Sequence, residues 1–150
     1  MFKISKKVIY AIEAVVDVAC HSGINPVQNL DIAKRQGIPK RYLEQTLQNL
    51  VKHNILIGSR GPKGGYRLAK ERRKINLSQI VNSVEENSFN SIKNKLMVSE
   101  VSKKAINPLI IKITRSCYNS LEKITVEDIY KKINANTSKK KAVEQIDFVI

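Results

Sequence analysis

Residues 37–69 read GIPKRYLEQTLQNLVKHNILIGSRGPKGGYRLA, and a change of rhythm inside this stretch decides the fold. Up to Asn54 the apolar residues Tyr42, Leu43, Leu47, Leu50 and Val51 recur at the spacing of one helix face. Pro39 suits the first turn of that helix, where no N–H is needed, and Asn54 suits a left-handed stop. From Ile55 the rhythm breaks. ILIGS (55–59) and YRLA (66–69) predict two short strands, and RGPKGG between them is a hairpin tip holding three of the chain's six glycines. A glycine-rich loop with a lysine could also cradle a nucleotide for chemistry. A Walker loop, however, has the pattern GxxxxGK[ST] between a strand and a helix. Here Lys63 precedes the glycine pair and a strand follows.

Upstream, Leu30, Ile32 and Ala33 predict a short inward-facing helix at about 30–36, closed by Gly37, so the turn into the next helix is tight. Before it, Ser5 caps a helix from Lys6 to about Ser22. Val8, Ile9, Ile12, Val15, Val16, Ala19 and Cys20 share one face of it, and Gly23 stops it. Downstream of the hairpin comes the charge run KERRK, then a helix from Ser78 to about Glu86 with Ile80, Val81 and Val84 inward. Three helices, a two-stranded hairpin and a further helix, in that order, make a winged helix-turn-helix over 1–86. The fold class is mainly α with a small β-hairpin wing.

The remainder reads as a polar linker over 87–107, then a long apolar helix opened by Pro108, then a last short helix ending near residue 134. Leu109, Ile110, Ile113, Cys117 and Leu121 form the apolar stripe, and little chain is left to cover it. Thr125 and Asp128 make a capping pair for the last helix. Residues 135–150 read as a flexible basic tail with an apolar end, IDFVI.

The chain carries a net charge of +14, with 15 Lys and Arg against 5 Asp and Glu in residues 1–80 and 12 against 8 in the rest. A lysine-rich coding bias accounts for part of this. The excess in the first half nonetheless points to a polyanion, nucleic acid above all. The lysines and apolar run before Cys20 imitate a secretory signal, but Glu13 and Asp17 interrupt that run. No stretch approaches the roughly 18–20 apolar residues of a membrane span. No membrane partner is expected, and the protein is placed in the cytoplasm. His21 and His53 stand apart, each near a helix end, where a helix C-terminal interaction suits them better than a metal. No carboxylate pair or nucleophile arrangement supports an enzyme.

ISKKVIYAIEAVVDVA (4–19), LDIAKRQGIPKRYLEQTLQNLVKHNIL (30–56), SRGPKGGYRLA (59–69) and INLSQIVNSVEEN (75–87) closely resemble the IscR-like (BadM-type) family of bacterial winged-helix transcription regulators. LEKITVEDIY (121–130) resembles it more faintly. The resemblance implies a homodimer on a pseudo-palindromic operator of double-stranded DNA that represses or activates transcription, with repression the favoured of the two. It implies a recognition helix from Pro39 to His53 that offers Lys40, Arg41, Glu44, Gln45 and Gln48 to the major groove. Those residue types suit base reading, since Lys and Arg meet guanine, Gln meets adenine, and Glu accepts from cytosine. A solvated helix face is the alternative for each. Ser5 and Lys6 match positions near the DNA backbone. In the wing tip Arg60, Gly61, Pro62, Lys63 and Gly64 would meet DNA, with Arg60 in the minor groove and Lys63 on the backbone. Tyr42, Leu43 and Tyr66 are expected to pack inward. The apolar stripe from Leu109 to Leu121 would form the dimer.

Many relatives bind an iron–sulfur cluster through three cysteines between the fourth helix and the dimer helix. Here 88–107 contains neither cysteine nor histidine, so no metal and no cofactor is expected. Cys20 and Cys117 are read as small buried hydrophobes, with a bridge between two copies of Cys117 as the alternative. Regulation would fall to an unknown partner protein or small ligand. A non-specific architectural DNA- or RNA-binding protein remains the competing function, and Glu44 argues against it, because a purely electrostatic binder gains nothing from a carboxylate.

Overall fold

The computed structural model describes residues 4–85 and 96–147, with side chains described as far as residue 140. Helix α1 spans Lys6–His21, α2 Asn29–Gln36 and α3 Lys40–Lys52. Strands β1 (Leu56–Ser59) and β2 (Gly65–Leu68) follow, then a 3-10 turn at Arg72–Lys74 and helix α4, Leu77–Val84. After the undescribed segment, a π-helical turn (Ser102–Ile106) runs into α5, Asn107–Glu122, and α6 spans Val126–Asp147.

Local chemistry explains each boundary. Ser5 caps α1 by accepting from the Val8 N–H at 3.3 Å. Gly37 closes α2 at φ +65°, a left-handed angle that glycine adopts without a Cβ penalty. Asn54 ends α3 in the same region at φ 55°. Asn76 and Gln79 form a reciprocal capping box at the start of α4. Thr125 and Asp128 do the same for α6: the Thr125 N–H and hydroxyl donate to the Asp128 carboxylate at 2.8 and 2.7 Å, and Asp128 N–H returns a bond to Thr125 Oγ1.

The core lies between α1, α3, α4 and the hairpin. Ala11, Ala14, Val15 and Val18 of α1, Ile32 of α2, Leu43, Leu47 and Leu50 of α3, Leu56 of β1, and Ile75 and Ile80 are buried. The small alanines let α1 run close to its neighbours. β1 and β2 pair antiparallel from Leu56 opposite Leu68 to Ser59 opposite Gly65. The α1–α2 connection joins the ribbon through Val27, which exchanges backbone hydrogen bonds of 2.9 and 2.8 Å with Tyr66.

Several sequence expectations shift. Leu30, Tyr42 and Val51, read as inward, are 51%, 62% and 37% exposed, and Ile9 is also exposed. Each sits at the edge of its helix's apolar arc; on α3 the buried polar position is Thr46, which returns its hydroxyl to the Tyr42 carbonyl at 2.8 Å. Helix begins at residue 100, earlier than Pro108, and the wider π turn at Ser102–Ile106 stands where the proline's missing N–H and its ring must be accommodated. Residues 135–147 continue α6 instead of forming a flexible tail. NANTSKKKAVEQID contains neither glycine nor proline, and its lysines, alanines, Glu144 and Gln145 favour helix.

α6 also closes the amino-terminal core. Val126 is fully buried, Leu77 N–H donates to Ile124 O and Val126 N–H to Ile75 O, both at 2.9 Å. Arg72 pairs with Glu127 at 2.9 Å and lies over the Tyr130 ring at 3.7 Å.

Candidate nucleic-acid interface

α3 divides cleanly between two environments. Leu43, Thr46, Leu47 and Leu50 are buried, while Lys40, Arg41, Glu44, Gln45 and Gln48 are all exposed. The buried side anchors the helix rigidly, so the polar side is presented without play. Lys6 is exposed at the start of α1, and Lys6, Lys7 and Tyr10 line a groove of about 410 Å³ with Tyr42, Gln45 and Thr46 of α3. Lys7, Tyr10 and Tyr42 thereby join the face expected from sequence to carry Lys6 and Gln45. A signal was there: Tyr42 stands three positions before Gln45, on the same side of the helix.

Ser5 stands differently from Lys6. Besides capping α1, its hydroxyl donates to Glu85 at 3.1 Å, so it is held within the chain.

The hairpin tip carries Arg60, Gly61, Pro62 and Lys63 exposed and Gly64 half-buried. Gly61 adopts φ +103°, which L side chains rarely take. The tip leans on the helix-turn-helix: Gln28 Nε2 donates to the Pro62 carbonyl at 3.3 Å. Wing and recognition helix also approach each other at Tyr66, half-buried against the core. Its phenol is pushed upward first by burial and second by the negative charge of Glu44.

Beneath this face one ion pair ties α1 to α2. Asp17 is buried, and its carboxylate accepts from Arg35 at 2.9 and 2.8 Å and from Gln36 at 2.7 Å. Burial alone would raise its carboxyl, but the Arg35 and Gln36 hydrogen bonds and the charges of Arg35 and His21 outweigh it and hold it below the usual range. His21 Nδ1 sits 2.9 Å from the Asp17 carbonyl, and His53 Nδ1 2.9 Å from that of Asn49, the helix-end contacts expected of both.

Of the apolar stripe, Leu109 and Ile110 are 55% and 37% exposed, Cys117 is exposed, and Ile113 is half-buried. Cys117 is therefore not the buried hydrophobe expected from sequence, because among the described residues α5 has no side chain fully buried within the protomer. Leu121 packs against the chain's own core. Cys20 is half-buried, with its thiol pushed up first by burial and then by Asp17.

A buried helical core presenting one polar helix beside a glycine-rich basic hairpin defines a winged helix-turn-helix protein. The sequence profile of the Rrf2 family, described as iron-dependent transcriptional regulators, matches residues 4–132, and the chain belongs to that family. It is 43% identical over 84 residues to the HTH-type transcriptional regulator IscR of Vibrio campbellii, covering 56% of this chain and 50% of that protein. IscR of Sodalis glossinidius is 40% identical over 84 residues, 56% of this chain and 51% of the relative. The chain thus spans about half the length of these curated relatives. Among solved structures, T. potens IscR superposes with a TM-score of 0.72 at 32% identity, covering 88% of both chains. CymR of B. subtilis, titled its global cysteine regulator, superposes at 0.73 with 27% identity, covering 88% of this chain and 98% of its own. The two curated IscR relatives are named as transcriptional regulators, a role that is not enzymatic.

The family description names iron, and the described residues offer no grouped ligands for it. A cluster needs several thiolates or imidazoles close together. The sequence from 88 to 107 has none, Cys20 and Cys117 stand on α1 and α5, and among the described residues no three His, Cys, Asp or Glu side chains are grouped to hold a metal. Among the described residues, no helix is long and apolar enough to cross a membrane.

Proposed function

We propose that the protein is a homodimeric, sequence-specific DNA-binding regulator of the bacterial cytoplasm, working without an iron–sulfur cluster. The observation that carries this reading is the outward face of α3, where Lys40, Arg41, Glu44, Gln45 and Gln48 stand exposed beside a basic wing. α3 would enter the major groove, where each good bidentate contact is worth about 1–3 kcal/mol of discrimination. Arg60 would enter the flanking minor groove, where negative potential is concentrated, with Lys63 on the backbone and Gly61, Pro62 and Gly64 allowing close approach. Lys6 would meet a phosphate, and Ser5 would steer it by fixing the start of α1.

The apolar residues Leu109, Ile110, Ile113 and Cys117 would pair two copies, and two reading heads imply a pseudo-palindromic operator. Repression is favoured over activation, since occupying an operator blocks transcription without any further contact surface. A partner protein or small ligand would carry the signal in place of a cluster.

The test is selection from a library of genomic fragments at two salt concentrations. The expected outcome is a small set of palindromic sites that persist at higher salt. Uniform weakening of every fragment, with none preferred, would replace this reading with electrostatic, architectural binding.

A further inference from the structure

A ribbon of two four-residue strands is marginal by itself, and its tip is useful only if it stands at a fixed height above α3. Leu56 anchors the base of the ribbon in the core, and the Val27–Tyr66 exchange joins β2 to the α1–α2 connection. Gln28 supplies a further point near the tip, on the Pro62 carbonyl. Another is Arg67 of β2. Its guanidinium Nη1 donates to the Gly23 carbonyl at 2.7 Å, and Nη2 donates to the Ile24 carbonyl. Both acceptors lie just past the end of α1, where free carbonyls and the helix dipole favour a cation. Gly65 presses the ribbon close to this segment: a Cβ there would stand 2.5 Å from the Val27 carbonyl oxygen.

We propose that Arg67 is a positioning residue for DNA reading, whose two-pronged hold on the Gly23 and Ile24 carbonyls sets where Arg60 stands relative to the recognition helix. The proposal rests on the DNA-binding reading above, but its mechanical half does not need DNA. Only arginine can fill the role. Its planar fork bonds two carbonyls from one rigid group, whereas a lysine ammonium at the end of a flexible stem keeps the charge but not the fork. Arg67→Lys therefore separates positioning from simple electrostatics.

The first measurement is hydrogen exchange on the free protein. In Arg67→Lys the Val27 and Tyr66 amides, which hold the ribbon to the α1–α2 connection, should exchange about tenfold faster. Leu47 and Leu50 in α3 should be unchanged. Unaltered exchange at Val27 and Tyr66, or acceleration throughout α3, overturns the clamp. The second measurement is a double-mutant cycle on the selected operator. Arg67→Lys should weaken binding about fivefold in the native background and have no further effect once Arg60 is alanine, while its effect adds independently to that of Arg41→Ala. Equal losses with and without Arg60 would show that Arg67 acts elsewhere. A salt dependence lowered by about one charge in Arg67→Gln would make it a direct phosphate contact, which also overturns the proposal. Should the native chain prefer no DNA site at all, the regulator reading fails, and the exchange experiment still decides the clamp.

Discussion

Asp17 is the residue on which α1 and α2 depend most. It interrupts an otherwise apolar helix face, and the sequence marks it only as a charge out of place. Its partners lie 18 and 19 residues on, in another helix, and no local spacing rule reaches that far. Removing one member of a buried, hydrogen-bonded pair strands the other. Asp17→Ala should therefore cost about 2–4 kcal/mol in urea unfolding, with Arg35 partly exposed and so partly rescued by water. The pH dependence has a fixed sign. The folded carboxyl titrates below its unfolded value, so its contribution is fully present above an unfolded pKa of about 3.9 and is lost as pH falls through the folded value. Native protein should lose stability on acidification below about pH 4, and Asp17→Asn, already weaker, should lose less over the same range. Identical acid limbs for the two proteins would mean that the pair contributes nothing net.

At the scale of elements, the wing and α3, proposed above to carry reading, are the parts most legible from sequence. The shift from helical period to alternating strands, the glycines of the tip and the left-handed Asn54 are local signals, and all of them are realised in the fold. Which side of α3 faces out was less legible at its margins. Tyr42 and Val51 are apolar enough to suggest burial, yet the buried side of α3 is taken by Leu43, Thr46, Leu47 and Leu50. Arg67 could not be found at all, because its acceptors are backbone carbonyls with no sequence signature. Two outcomes are expected here. Arg60→Ala should lower operator affinity about tenfold in a binding titration while leaving the melting curve unchanged, since Arg60 is exposed at the tip. Gly65→Ala should instead cost stability as well as affinity, because its Cβ would collide with a backbone carbonyl that no side-chain rotation can clear. A Gly65→Ala protein that melts and binds like the native one would detach the ribbon from the α1–α2 connection.

For the whole molecule, the sequence divides the chain at residue 86, but the core does not close there. Val126 is fully buried and Leu121 and Ile129 pack against the same core, so the chain returns to it at the end of α5 and the start of α6. Such a return is invisible to periodicity, which marks Val126 as one apolar residue at a helix start. α5 leaves Leu109, Ile110 and Cys117 exposed, a surface that costs solubility unless it is covered. In the proposed dimer a second copy would cover it with the same residues, and two-fold symmetry would count every substitution twice. Leu109→Lys places two ammonium groups in the centre of that contact, each needing desolvation without a partner. The dimer dissociation constant should rise about a hundredfold or more, which sedimentation at micromolar concentration would register as a 17.0 kDa monomer. Because Leu109 is exposed in the protomer, its winged domain should melt as before and still bind a single half-site weakly. Operator binding should lose its dependence on the second half-site, since the two heads no longer arrive together. A Leu109→Lys protein that sediments as a dimer would remove α5 from the interface and leave its apolar face to another partner.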